Sequence, residues 1–113
     1  MITSGDNPKV KQARALLEQR GREAQHHCLV EGVRLIEDAV RAGITPALVF
    51  FVGQVRSAAR AGALLDSLAA IGAPLLEVSP KVLGTLSDTV TSQGIIAEIE
   101  IPSPVPPPRP DFV

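Results

Sequence analysis

Aromatic residues are scarce in this chain, which has three Phe, no Tyr and no Trp among its 113 residues. The core must therefore be built from aliphatic side chains. The scarcity also argues against a surface that recognises nucleic acid by stacking successive bases on aromatic rings. With 45% hydrophobic and only 20% charged residues, the composition indicates a globular domain rather than a disordered chain.

Cysteine occurs once, at Cys28, so no disulfide can form within the chain and a reducing compartment is favoured. His26 and His27 precede Cys28 directly, but this spacing does not suit a metal site, and no second cysteine pair completes one. The sequence has no apolar run of membrane-spanning length and no basic-then-apolar signal sequence at its start. We therefore expect a cytoplasmic protein without a metal site.

Catalytic motifs are missing as well. The sequence has no phosphate-binding glycine loop, no G-x-S-x-G nucleophile motif and no HExxH zinc motif. Glu37 and Asp38 are neighbouring acids, but adjacent residues of a helix do not share a face and cannot act as a pair. We expect a recognition module that holds no catalytic residue and no cofactor of its own.

The net charge of −1 provides no overall basic field that would attract a polyanion. The charges are nevertheless uneven, because a group of basic residues lies near the start: Lys9, Lys11, Arg14, Arg20 and Arg22. Such a group can bind phosphate, although it is more often the solvated face of a helix.

Hydrophobic periodicity predicts alternating helices and strands. Asn7-Pro8 is typical of a helix start, and this first helix is expected to end at Gly21. Apolar runs predict strands at 28–30, 47–52, 75–78 and 95–101, with helices between them, the third at about 55–71. The short connections predict an α/β fold, a three-layer α/β/α sandwich around a small, mostly parallel (mixed) sheet.

Proline is concentrated at the end of the chain, where six of the ten prolines lie within residues 102–113. This composition is typical of a stiff, extended spacer. We expect residues 1–101 to form one domain and residues 102–113 to link it to a further domain of a longer protein. An unstructured tail is the other interpretation.

A phosphate site can be located from the predicted topology. In open α/β sheets, ligands bind at the carboxyl ends of the strands and at the adjoining helix starts. Gly32 follows the strand that ends at Val30 and permits close approach to the backbone, and Arg34 lies in the first turn of the next helix. The alternative is that Arg34 is an ordinary exposed helix residue.

The segment from Leu86 to Ile95, with the sequence LSDTVTSQGI, is the most distinctive of the chain. Its short polar side chains can bond to nearby backbone N–H groups, so we expect one defined shape. Gly94 would supply a positive φ or room for a close approach. A capped turn before a strand, without further function, is equally compatible with this pattern.

Three blocks, at residues 2–11, 29–39 and 86–95, together resemble the N-terminal RNA substrate-binding domain of the SpoU-type (TrmH-like) RNA 2′-O-ribose methyltransferases. The pattern of that family is NPxVK, then FLVEGxRLIxEA, then LSDTxTPQGIxA. Cys28 replaces an aromatic residue of the pattern, and Ser92 replaces a proline. The resemblance implies a fold like that of the small ribosomal proteins that bind kinked RNA.

The resemblance further implies that a knotted catalytic domain follows the linker, binds S-adenosylmethionine, carries the methyl-transfer residues and forms a homodimer. Within this chain it implies a role in RNA recognition for Asn7, Lys9, Lys11, Glu31, Gly32, Arg34 and Gln93, to which the basic group adds Arg14. Because Glu31 and Asp88 are acidic, we expect them to cap the structure rather than to contact phosphate. Arg56 and Arg60 are expected on the third helix, away from the RNA.

Three functions follow from these observations. The first is a domain that recognises a structured ribosomal or transfer RNA for an attached methyltransferase. The second is a stand-alone RNA-binding module of ribosomal-protein type, against which the proline-rich segment argues. The third is a domain that binds a small ligand or a protein, which the weak net charge favours.

Overall fold

The computed structural model describes residues 1–87 and 93–101. Within them, helices and strands alternate in the order α1 (Pro8–Arg14), α2 (Gln19–Gln25), β1 (His27–Glu31), α3 (Val33–Arg41), β2 (Leu48–Phe51), α4 (Ala59–Ala70), β3 (Leu75–Glu77), α5 (Pro80–Gly84) and β4 (Ile95–Glu100). Two 3₁₀ helices cover Ala15–Leu17 and Gly53–Ser57. The predictions for Asp88, for Ser92 and for the linker at 102–113 lie outside the described residues.

The four strands form one sheet in the order β1-β4-β2-β3, and all four predicted strands are confirmed. β2 and β3 pair in parallel, whereas β4 is antiparallel to both of its neighbours. β1, β2 and β3 therefore run in one direction, and their carboxyl ends lie together with the start of β4. We call this side of the sheet the carboxyl edge.

The predicted α/β class with a mixed sheet is confirmed, but β4 makes two of the three pairings antiparallel. β3 ends at the carboxyl edge, and α5, with five residues, spans only about 7.5 Å, less than the about 20 Å of a six-residue strand. α5 therefore does not carry the chain back along the sheet, and β4 begins at the carboxyl edge.

Two apolar clusters separate the three layers. On one face, α3 and α4 bury Ile36, Leu64, Leu65 and Leu68 against Val49, Phe51 and Ala97. On the other face, α1 and α5 bury Val10, Ala13, Val82 and Leu83 against Phe50 and Ile96. Neighbouring residues of β2 thus point to opposite clusters, as the alternation of a strand requires.

The prediction that the first helix ends at Gly21 is wrong. α1 ends at Arg14, the chain is extended at Glu18 (φ −108°, ψ 146°), and Gly21 lies within α2. A Cβ atom at Gly21 would stand 1.9 Å from the carbonyl oxygen of Ala15. Glycine is therefore required here because α2 packs directly on the preceding 3₁₀ turn, and this contact is not visible in local sequence.

The helix predicted at about 55–71, which is α4 in the structure, begins later than predicted. Residues Gly53–Ser57 form a 3₁₀ helix, and the α-helix starts only at Ala59. A Cβ atom at Gly62 would stand 2.8 Å from the carbonyl oxygen of Arg56, so this glycine also permits a close approach of backbone.

His27 and Glu98 form a pair across β1 and β4 that the sequence analysis missed. Glu98 is the buried charged residue of the described part of the chain, and Nδ1 of His27 lies 2.5 Å from its Oε2. A carboxylate taken out of water needs such a partner. The pair joins the first strand to the last.

We expect Gly21→Ala to lower the free energy of unfolding by about 1–3 kcal/mol, because the added methyl group collides with the Ala15 carbonyl. Gly84→Ala is the matched control: Gly84 ends α5, and a Cβ atom added there would have no heavy atom within 4 Å. Urea unfolding of both variants measures the difference. Equal stability of the two would contradict the proposed packing of α2.

Candidate functional site

The carboxyl edge brings together residues from the second and third sequence blocks. Glu31 and Gly32 lie at the end of β1, and Gln93 and Gly94 lie at the start of β4, its neighbour in the sheet. The Gly32 N–H donates to the carbonyl oxygen of Ile95 at 3.1 Å. Segments more than fifty residues apart in sequence are therefore adjacent at this edge.

The Glu31 carboxylate bonds to Ser87 and to Gln93, the described residues on either side of residues 88–92. Its Oε1 accepts a hydrogen bond from the Ser87 hydroxyl at 2.7 Å, and its Oε2 accepts one from the backbone N–H of Gln93 at 2.9 Å. Charged acceptors make the stronger hydrogen bonds in proteins. We call this arrangement the Glu31 clamp; it agrees with the capping role expected for Glu31.

Gly32 is buried beside the clamp and lets the Gln93 side chain approach its backbone. Its φ is +104°, and a Cβ atom there would stand 2.6 Å from Oε1 of Gln93. Any larger residue would be strained and would displace the Gln93 amide. Two of the predicted site residues, Gly32 and Gln93, are thus in direct proximity.

Gly94 fixes the other side of the clamp to β2. Its φ is +86°, and a Cβ atom would stand 2.7 Å from Cγ1 of Val55. Its carbonyl oxygen accepts the Val52 N–H at 3.0 Å. Gly94 therefore meets both expectations at once, the positive φ and the close approach.

Lys9 and Lys11 are exposed on α1, and Asn7 is its N-cap, with Oδ1 accepting the Lys9 N–H at 2.9 Å. Ile2 forms a parallel bridge with Val78, directly after β3, so the chain continues past the carboxyl edge before α1 begins. The start of α1 consequently lies at that edge, in the layer opposite to α3.

Arg34 is exposed in the first turn of α3, on the other side of the sheet from α1. Arg34 and the two lysines therefore flank the carboxyl edge from opposite layers. Arg14 differs from them, because it is only half-exposed and its Nη2 donates to the carbonyl oxygen of Gly5 at 2.8 Å. Its guanidinium holds the N-terminal turn in place.

The RNA contacts predicted for Asn7, Lys9, Lys11, Arg14, Gly32, Arg34 and Gln93 stay predictions.

Arg60 and Arg56 have different surroundings. Arg60 lies on α4 and bonds to Glu37 of α3 at 2.6 Å; this hydrogen bond holds the pKa of the Glu37 carboxyl below its ordinary value. Arg56 precedes α4, in the 3₁₀ helix that follows β2 at the carboxyl edge, and its guanidinium lies 4.7 Å from the centre of the Phe51 ring. Arg56 was expected on the helix predicted at about 55–71, which is α4, and this prediction is therefore wrong.

A pocket at the carboxyl edge escaped the sequence analysis. It encloses about 350 Å³ between the 3₁₀ helix after β2, α5 and the start of β4. Its lining residues are Val52, Gln54, Val55, Ala58, Pro80, Leu83, Gln93 and Gly94. We call it the edge pocket. Because its walls come from separate segments, only Gln93 and Gly94 carried a signal in the sequence.

Cys28 is a half-buried thiol that packs against the cluster under α3 and α4. Burial raises the pKa of its thiol, and nearby Arg22 opposes this only in part. In the described ranges, 1–87 and 93–101, no group of three or more His, Cys, Asp or Glu side chains could hold a metal ion. None of the helices in these ranges combines the length and apolar character needed to cross a membrane.

Comparison with known proteins shows what this arrangement resembles. The family model described as the MRM3-like substrate binding domain matches residues 7–97. An uncharacterized tRNA/rRNA methyltransferase of Synechocystis sp. is 34% identical over 98 residues, which are 87% of this chain and 35% of that protein. The chain thus spans about a third of the length of this relative.

Solved structures show the same fold. A crystal structure of an RNA 2′-O ribose methyltransferase has a TM-score of 0.75 at 34% identity, over 91% of this chain and 38% of its own. An rRNA methyltransferase from Sinorhizobium meliloti has a TM-score of 0.71 at 28% identity, over 88% and 36%. The SpoU methyltransferase AviRb from Streptomyces viridochromogenes, in complex with AdoMet, has a TM-score of 0.75 at 26% identity, over 86% and 36%.

The match to the family model covers both the α1 start and the two segments that the Glu31 clamp joins, up to residue 97. The resemblance to the substrate-binding domain of SpoU-type methyltransferases is thereby confirmed, and the chain belongs to the family of MRM3-like substrate-binding domains.

Proposed function

We propose that this chain recognises a structured ribosomal or transfer RNA for an S-adenosylmethionine-dependent RNA 2′-O-ribose methyltransferase. The observation that carries the proposal is the Glu31 clamp, which assembles the second and third blocks of a substrate-binding domain at one edge of the sheet. The relatives named above are methyltransferases of which this chain spans 35–38%, which favours this function over a stand-alone module.

The RNA surface is the carboxyl edge with its two flanks. Phosphate contacts dominate RNA affinity, and a chain with a net charge of −1 must concentrate its positive charge locally. Exposed Lys9 and Lys11 supply that charge on one flank, and exposed Arg34 supplies it on the other. Exposed Gln93 lies between them against the buried backbone of Gly32 and offers an amide that both donates and accepts hydrogen bonds.

Methyl transfer itself belongs to a domain that follows residue 101, in this proposal. S-adenosylmethionine would supply the methyl group there, and no residue of this chain takes part in holding the cofactor. Residues 102–113 would be the linker, and the following domain would form the homodimer. A single, partly buried cysteine is compatible with a reducing, cytoplasmic location.

Removing one exposed cation should weaken RNA binding. We expect Lys11→Ala and Arg34→Ala each to cost on the order of 1 kcal/mol of binding free energy and to make binding less dependent on salt. The measurement is the affinity for a structured ribosomal RNA fragment at several salt concentrations. Arg60→Ala is the control, because Arg60 is bonded to Glu37 on the α3–α4 side. If Arg60→Ala weakens binding most, the RNA lies on another face.

The Glu31 clamp allows a test in which charge and geometry act in opposite directions. Glu31→Gln removes a negative charge, which by electrostatics alone should strengthen RNA binding. The variant amide, however, cannot accept both hydrogen bonds as the carboxylate does, so we expect Gln93 to lose its position. RNA affinity should then fall about five-fold, which corresponds to a loss of roughly 1 kcal/mol of binding free energy.

The matched control is Glu100→Gln, which makes the same charge change at the exposed end of β4. Its RNA affinity should stay level or rise slightly. If Glu31→Gln binds the RNA as tightly as Glu100→Gln does, the clamp has no part in recognition.

A further inference from the structure

The edge pocket has a chemical character that differs from its surroundings. None of the eight described residues that line it is charged. Val52, Val55 and Leu83 provide aliphatic walls, and the polar side chains are the amides of Gln54 and Gln93. A phosphate or another ion would find no partner inside, whereas a flat, uncharged molecule with hydrogen-bonding edges fits this lining.

The position of the pocket adds a second constraint. Gln93 belongs both to the pocket lining and to the Glu31 clamp, so the pocket opens next to the proposed RNA surface. Gly94 has a positive φ, and a Cβ atom there would collide with Val55, so this wall of the pocket requires glycine. An occupant of the pocket is therefore within reach of the backbone of an RNA that lies across the carboxyl edge.

The volume of the edge pocket is compatible with one nucleobase. The pocket of about 350 Å³ is at the small end of ligand sites in proteins. Proteins that read RNA by sequence bind unpaired bases that are splayed out of the stack, and they hydrogen-bond the edges of these bases. The chain has no Tyr or Trp, and Phe50 and Phe51 are buried, so a base in this pocket would lie against aliphatic side chains and bond to amides.

We propose that the edge pocket binds one unstacked nucleobase of the RNA, with the amides of Gln54 and Gln93 at its hydrogen-bonding edge. The inference rests on the proposed function and deepens it. Phosphates are held by the flanking cations, and the pocket selects RNAs that present an unpaired base beside the edge. Recognition thus combines a backbone contact that is insensitive to sequence with one base contact that is specific.

The test compares RNA hairpins that are identical except at one bulged nucleotide. The bulge carries each of the four bases in turn, or an abasic ribose that keeps the phosphate. We expect the abasic hairpin to bind this chain about ten-fold more weakly than the preferred base, which corresponds to the loss of one buried base. Affinities are measured at fixed salt by fluorescence anisotropy.

Two variants locate the effect. Ala58→Phe fills the pocket from an exposed position with extended backbone, and we expect it to bind the abasic and base-bearing hairpins equally. Ala69→Phe makes the same change at an exposed position of α4 that does not line the pocket, and it should keep the ten-fold difference. Gln54→Ala, also at an exposed position, should reduce the preference among the four bases without affecting the abasic hairpin.

The outcomes separate the two proposals. If the wild-type chain binds the abasic hairpin as tightly as the others, the pocket inference is overturned while RNA binding stands. If Ala58→Phe keeps the preference for a base, the base lies elsewhere and the inference is again overturned. If no hairpin binds at all, both the proposed function and the inference that rests on it are overturned.

Discussion

The organisation of the carboxyl edge depends on one carboxylate. Glu31 ends the first strand, yet its two oxygens bond to Ser87 and Gln93, which enter and leave a segment near the end of the domain. With the carboxylate in place, Gln93 lies on Gly32 and Gly94 lies against Val55. Without it, the Ser87 hydroxyl and the Gln93 N–H would lose this acceptor, and only backbone pairing would join the end of β1 to the start of β4 among the bonds described here.

The topology explains why the Glu31 clamp connects segments that are distant in sequence. β4 is inserted between β1 and β2, so its start touches the ends of both strands. Gly32 bonds to Ile95 on one side, and Gly94 bonds to Val52 on the other. The central position of β4 turns two distant sequence blocks into neighbours and places the edge pocket beside them.

Local sequence predicts those features that local residues decide. The apolar runs mark all four strands, because the central strands β2 and β4 are buried and the edge strands β1 and β3 are partly buried. Asn7-Pro8 marks the start of α1 through its own cap. The break after Arg14 was not predictable from local sequence. Glycine is needed at position 21 because the Ala15 carbonyl group lies too close for a Cβ atom, and this contact is not a property of the helix that contains Gly21. The edge pocket was missed for the same reason: Val52, Pro80 and Leu83 have no common signal until the fold unites them.

The antiparallel course of β4 also decides where the chain leaves the sheet. Ile101 donates its N–H to the carbonyl oxygen of His26, at the end of the sheet where β1 begins. The six residues of β4 place this exit about 20 Å from the carboxyl edge. A polypeptide that continues beyond residue 101 would therefore start at the end of the sheet opposite to the Glu31 clamp and the edge pocket, with the length of the sheet between them.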